Sequence, residues 1–281
     1  MVPTQPYDFH AQDADLLLLS SDGAKFHVHR CILAAASPFF EHMFTLPQPL
    51  SSYADSDSSV EEQHPVIPVS ESRSTVDTLL RYVYPVPDPI IASLDDLGPI
   101  LAAAAKYDFL GVISALRRVL LSPNFLRENP VRVFAIASRY ELEYEAKVAS
   151  QHTLSVNVLD CPLSDDLKFI TAHSYHRLLD LHRRRATAAQ RLLKVTDEVK
   201  CMQCNGGPHG MFVPPKWWKE FEKLAREELA LRPTSEVIFG MAFLARVAEE
   251  SGCPRCAGSI MDSHKFLEDL KRRIDDLPAT I

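Results

Sequence analysis

Glycine is scarce, with nine residues in a chain of 281. Loops that cradle phosphates need glycine where backbone must approach a ligand closely. No phosphate loop, G-x-S-x-G elbow, H-E-x-x-H helix or dinucleotide fingerprint occurs. Long apolar runs are also missing. "LLLL" at 16–19 and "ILAAAA" at 100–105 are the strongest, far short of the ~20 residues a membrane span needs. The N-terminal "MVPTQPYDFHAQDAD" has early acids and no apolar core of a secretory signal. Basic charge is not in excess: 37 acidic against 30 basic residues give a net charge of -7, without the footprint of a general nucleic-acid binder. Six cysteines are too few for a disulfide scaffold at this length. The expectation is a soluble intracellular protein of the cytoplasm or nucleus, with no membrane or nucleic-acid partner. Its 46% hydrophobic content suffices for ordinary cores, and its length suggests two domains.

What is present divides at about residue 122. "DLLLL" and "KFHVH" read as a hairpin joined at Asp22-Gly23. Ser37 and Pro38 are an N-cap and first-turn pair for a short helix, "SPFFEHMF". Residues 48–64 are Ser- and acid-rich and read as a mobile loop that cannot offset its own ordering entropy. "HPVIPV" follows as a strand confined to a sheet edge by its prolines. Val76, Leu79, Leu80 and Val83 have helical spacing, and two further helices part near Asp108–Gly111. Beyond Glu128 the chain reads as helical almost throughout, with Ser164 capping one restart and "SEVIFGMAFLARVAEE" forming one helix. The fold class is α+β: a flexible stretch over 1–12, a mixed domain over 13–122 with a small sheet and helices, and an all-α region over 123–281.

The order Asp15, Leu19, Gly23, Phe26, Val28, His29, Arg30, Leu33, Ala34, Ala35, Ser37, Phe39, Phe40, Met43, Phe44 resembles the BTB/POZ domain. "LLRYVYPVPDP" and "AAAAKYDFLGVISAL" resemble that family's middle and closing helices, the former in the style of fungal members. The resemblance implies a non-enzymatic interaction module, associating with itself or another protein. Asp15 and Arg30 would be the family's charged-pocket pair, or else only caps of local structure, and Phe39, Phe40, Met43 and Phe44 the docking face. It also raises an alternative, a substrate adaptor for a cullin scaffold. Such relatives carry an apolar-x-Glu element after the "MF" helix; here only Val60-Glu61-Glu62 fits, far along the acidic loop.

Four cysteines form two C-x-x-C pairs, Cys201/Cys204 and Cys253/Cys256, roughly 48 residues apart. Two thiolates separated by two residues converge on one tetrahedral ion, so a structural zinc held by all four is expected. Four protein ligands leave no position for catalytic water. Separate reduced thiols, a redox pair, and His209 in place of one cysteine are the other readings. A redox pair would need a βαβ context that this helical region lacks. A zinc or thiol enzyme is the alternative from a different class. Cys31 and Cys161 stand alone. His27 and His29 lie two apart on a strand and face one side, but no third ligand accompanies them. "HRRRATAAQRLLK" reads as a solvated basic face, with a localisation signal or an anionic docking face as the other readings. Trp218, Phe221, Ala225 and Leu229 form a stripe flanked by Trp217, expected to fill a core and cover the zinc site, with peptide binding as the other reading.

Overall fold

A computed structural model describes residues 7–46, 64–205 and 212–281. The chain forms two compact units, Met1–Phe125 and Leu126–Ile281. No described helix is long and apolar enough to cross a membrane.

In the first unit, β1 (Leu16–Leu19) and β2 (Lys25–Val28) pair antiparallel, with Leu16 opposite Val28. Gly23 takes φ +81° in the turn, a conformation that favours glycine, and Ser20 donates to the Asp22 carboxylate at 2.6 Å. β3 (Val66–Pro68) runs parallel to β1, giving the sheet order β2-β1-β3. Its prolines thus sit on an edge strand, where a missing donor does no harm. Residues 7–10, expected within a flexible stretch, lie along β2: His27 N–H donates to the Phe9 carbonyl at 2.9 Å. The cause is hydrophobic, since Phe9 is buried against the rings of Phe26 and Tyr84.

Helices α1 (Arg30–Ala36) and α2 (Pro38–Thr45) follow the hairpin. Ser37 caps α2 by accepting from Phe40 N–H and also donates to the Tyr107 carbonyl at 2.5 Å. Helices α3 (Arg73–Val83), α4 (Leu94–Lys106) and α5 (Leu110–Leu120) complete the unit. Their apolar stripes bury Val76, Leu79, Leu97, Leu101 and Leu116, with α3 packed on α4 and α5 and α4 on α5, while Leu16, Leu18, Phe26 and Val28 of the sheet are buried too. Glu71 gathers Lys106 Nζ at 2.9 Å and Tyr107 OH at 2.6 Å, tying the end of α4 to the chain after β3.

Helix α6 (Pro123–Glu128) carries the chain across the boundary. In the second unit α7 (Pro130–Arg139) packs on α8 (Glu143–Thr153). Ser164 caps only a 3-10 turn over Asp165–Phe169; the α-helix restarts at α9 (Ala172–Leu192), where Thr171 accepts from Ser174 N–H. Helices α10 (Lys216–Leu231), α11 (Ser235–Ile238), α12 (Met241–Glu250), α13 (Cys256–Asp262) and α14 (His264–Asp275) follow. The single helix expected over 235–250 is thus two. The break falls at Gly240, where a Cβ would come within 3.1 Å of the Val237 carbonyl. Arg185 is buried and donates to the carbonyls of Pro233 at 2.8 Å, Ile274 at 2.9 Å, Pro278 at 3.1 Å and Leu277. It thereby ties the carbonyls at and just past the end of α14 to that of Pro233, ahead of α11.

Candidate functional site

Two places in the chain concentrate chemistry. The first is the cysteine cluster. Cys201 and Cys204 lie on the loop between α9 and α10; Cys253 precedes α13 and Cys256 opens it. The tight bend after α12 uses Gly252 at φ +61°, and Cys256 N–H closes it onto the Cys253 carbonyl at 3.0 Å. All four sulfurs lie within 4.8 Å of one another. Cys201 Sγ is 3.9 Å from Cys253 Sγ, and Cys204 Sγ is 3.7 Å from Cys256 Sγ. A tetrahedron with metal–sulfur bonds of ~2.3 Å has edges of about 3.8 Å, so these four thiols could hold a metal ion.

The surroundings fix the cluster. Asn205 accepts from Cys201 N–H at 2.8 Å, and Lys216 N–H points at Cys204 Sγ at 3.4 Å. Trp217 donates its indole N–H to Ser259 Oγ at 2.8 Å, which in turn donates to the Lys200 carbonyl at 2.7 Å. Trp217, Trp218 and Phe221 are buried alongside, so the aromatic stripe packs in one core with Cys201, Cys253 and Cys256. Protonation is uneven. Burial raises the Cys201 thiol, but hydrogen bonds from the Gln203 and Cys204 N–H groups and from neighbouring thiols outweigh it, bringing it down to about 7. Burial and the adjoining thiols push Cys204 up to about 12. Cys201 is thus the readiest of these to ionise, while Cys204 and Cys256, both raised first by burial, keep their protons unless a cation replaces them. Cys31 is exposed and Cys161 half-buried; neither joins it. His209 lies outside the described residues.

The second place is the junction of β2 with α1 and α2. Asp15 accepts from Arg30 N–H at 2.7 Å, capping α1 in place of His29, whose side chain makes no cap. The Arg30 guanidinium lies over the Phe44 ring at 4.7 Å. Asp15 and Arg30 thus meet through the backbone. His29 N–H donates to Tyr84 OH at 2.8 Å, and its ring lies 3.3 Å from the Asp13 carboxylate. This hydrogen bonding accounts for His29 without a metal.

Residues 7–124 match the family model described as BTB/POZ domain. The N-terminal unit is a BTB/POZ domain. A search of curated proteins finds no match for the chain. BTB/POZ domains are in general protein–protein interaction modules rather than enzymes, and this one follows that architecture with its three-stranded sheet and surrounding helices.

Within the BTB/POZ domain, the four expected docking residues separate. Phe40 is 2% exposed and packs against Phe44, Tyr107 and Phe109; it is a core residue of its own chain, because Ser37 fixes α2 with that face inward. Phe39, one position away on the helix, is 42% exposed, while Met43 and Phe44 are half-buried. The spacing of "SPFF" alone does not distinguish the two phenylalanines. The acidic stretch with Val60-Glu61-Glu62 lies outside the described residues. Sequence reasoning missed Ser259, whose role depends on a tertiary contact between α10 and α13; only its proximity to the second C-x-x-C pair hinted at it.

Proposed function

We propose that the protein is a non-enzymatic interaction protein that associates through its BTB/POZ domain, foremost with a second copy of itself. The match over residues 7–124 carries this reading. The exposed Phe39, with half-buried Met43 and Phe44 and the Arg30 guanidinium beside them, is the surface that would be buried. Such a patch combines an aromatic anchor with an arginine, the composition that carries most binding energy at interfaces. Size-exclusion chromatography with light scattering tests it: two chains per particle at micromolar concentration are expected, and Phe39→Glu should give one. A monomer at all concentrations removes self-association and leaves a different protein partner.

The helical unit completes the proposal as a zinc-clipped extension. Cys201, Cys204, Cys253 and Cys256 would be the ligands, and four thiolates close the coordination shell, so the ion would be structural. The near-tetrahedral sulfur spacings support this, and a thiolate site of this kind suits a reducing, intracellular compartment. Metal analysis after anaerobic purification should find one zinc and four protected thiols per chain; a metal-free chain removes the zinc reading.

A further inference from the structure

We propose that Cys204 is an oxidant-sensitive modification site, and that hydroperoxides join it to Cys256 in a disulfide that dismantles the four-thiolate cluster. The inference rests on the zinc reading, in which Cys204 is a thiolate.

Access within the cluster is unequal. Cys201 is 3% exposed, Cys253 8% and Cys256 0%. Cys204 alone among the four is half-buried, on a turn whose Met202 stands 99% exposed. A small oxidant in solvent therefore reaches Cys204 first, since oxidation follows thiolate character and exposure together. The next requirement is a second sulfur close enough to resolve the product. Cys256 Sγ is 3.7 Å away and buried behind it. The other close approach, Cys201 to Cys253 at 3.9 Å, also runs across the two pairs. Both approaches join distant segments of the chain.

The chemistry balances with peroxide as the oxidant. The Cys204 thiolate attacks one peroxide oxygen. An S–O bond forms, the O–O bond breaks, and the departing hydroxide takes a proton to become water. The Cys256 thiolate then attacks the resulting sulfenic sulfur. An S–S bond forms, the S–O bond breaks, and a second hydroxide leaves and is protonated to water. Two thiolates give up two electrons, which the peroxide accepts. Cys201 and Cys253 remain, two ligands where a closed site uses four, so metal is lost as the disulfide forms. Reduction returns the thiols and the site.

The test uses the full chain, purified anaerobically with its metal content measured first. Hydrogen peroxide is added in steps, with a dimedone-type trap in parallel samples and a chromophoric chelator to report free zinc. Non-reducing peptide mapping assigns the linkages, and the trap separates sulfenic acid from the sulfoxide that exposed Met202 will form. The expected result is trapping on Cys204, a Cys204–Cys256 disulfide as the first cluster linkage, and zinc appearing in step with it, reversed by dithiothreitol and added zinc. First labelling on Cys201, Cys253 or Cys256, a first disulfide within either C-x-x-C pair, or oxidation of Cys204 with zinc retained would overturn the proposal. A chain without metal before peroxide is added fails differently: it removes the zinc reading itself, and this inference with it.

Discussion

Trp217 and Ser259 are joined by a 2.8 Å hydrogen bond from the indole N–H to the hydroxyl, and the same hydroxyl donates to the Lys200 carbonyl. One small side chain therefore links the start of α10, the body of α13 and the residue before Cys201. Ser259→Ala leaves a buried donor and acceptor without their partner. It should cost about 1–3 kcal/mol in urea unfolding of the second unit. Because it supports the loop that carries Cys201, it should also weaken zinc binding about 10–100-fold in a competition titration with a chelating dye.

Metal removal has an optical readout. Both tryptophans of the chain, Trp217 and Trp218, are buried in the core that contains Cys201, Cys253 and Cys256. Extracting zinc with a strong chelator under reducing conditions should shift their emission to longer wavelength and lower the melting temperature of the second unit. The BTB/POZ domain contains no tryptophan, so emission reports on the helical unit alone. Unchanged emission after complete metal removal counts against a structural role for the ion.

Adjacent phenylalanines should behave oppositely. Phe40→Ala removes a ring that is 2% exposed and should destabilise the BTB/POZ domain by about 3–5 kcal/mol. Phe39→Ala acts at a ring 42% exposed and should cost under about 1 kcal/mol while weakening self-association in analytical ultracentrifugation. Equal stability losses would contradict the inward and outward assignment.

His182 makes stability depend on pH. Burial takes its imidazole from 6.5 down to about 4, with Thr153 Oγ1 at 3.0 Å as its partner. The folded state thus resists a proton that the unfolded chain accepts. Stability is fully present above pH 6.5 and falls as pH drops through the window towards 4, by about 1–3 kcal/mol at most. His182→Gln should flatten that part of the pH profile in chemical denaturation.

The local signals in the sequence were reliable where one residue acts on its own backbone. Asp22-Gly23 turns the hairpin, Ser37 caps α2, and Pro65 and Pro68 mark an edge strand, all as their chemistry requires. The convergence of the C-x-x-C pairs was also legible, because two thiols per turn is already half a site. What could not be read depends on neighbours far along the chain. Phe39 and Phe40 have the same identity and different fates: both meet Tyr107, and Phe40 also turns in on Phe44 and Phe109. Asp15 meets Arg30 through its amide and caps α1, where the family resemblance implied a charged-pocket pair.

The sulfurs that meet in the cluster are 52 positions apart. On a ribosome making ~5–20 residues per second, the second pair emerges roughly 3–10 s after the first. During that interval Cys201 and Cys204 can offer only half a coordination shell, while α10 to α12 are still being made. Capture of a metal by all four thiols would therefore be a late step in the biosynthesis of this unit. A chain interrupted between Glu250 and Cys253 would release two unmatched thiols that a quality-control system could recognise.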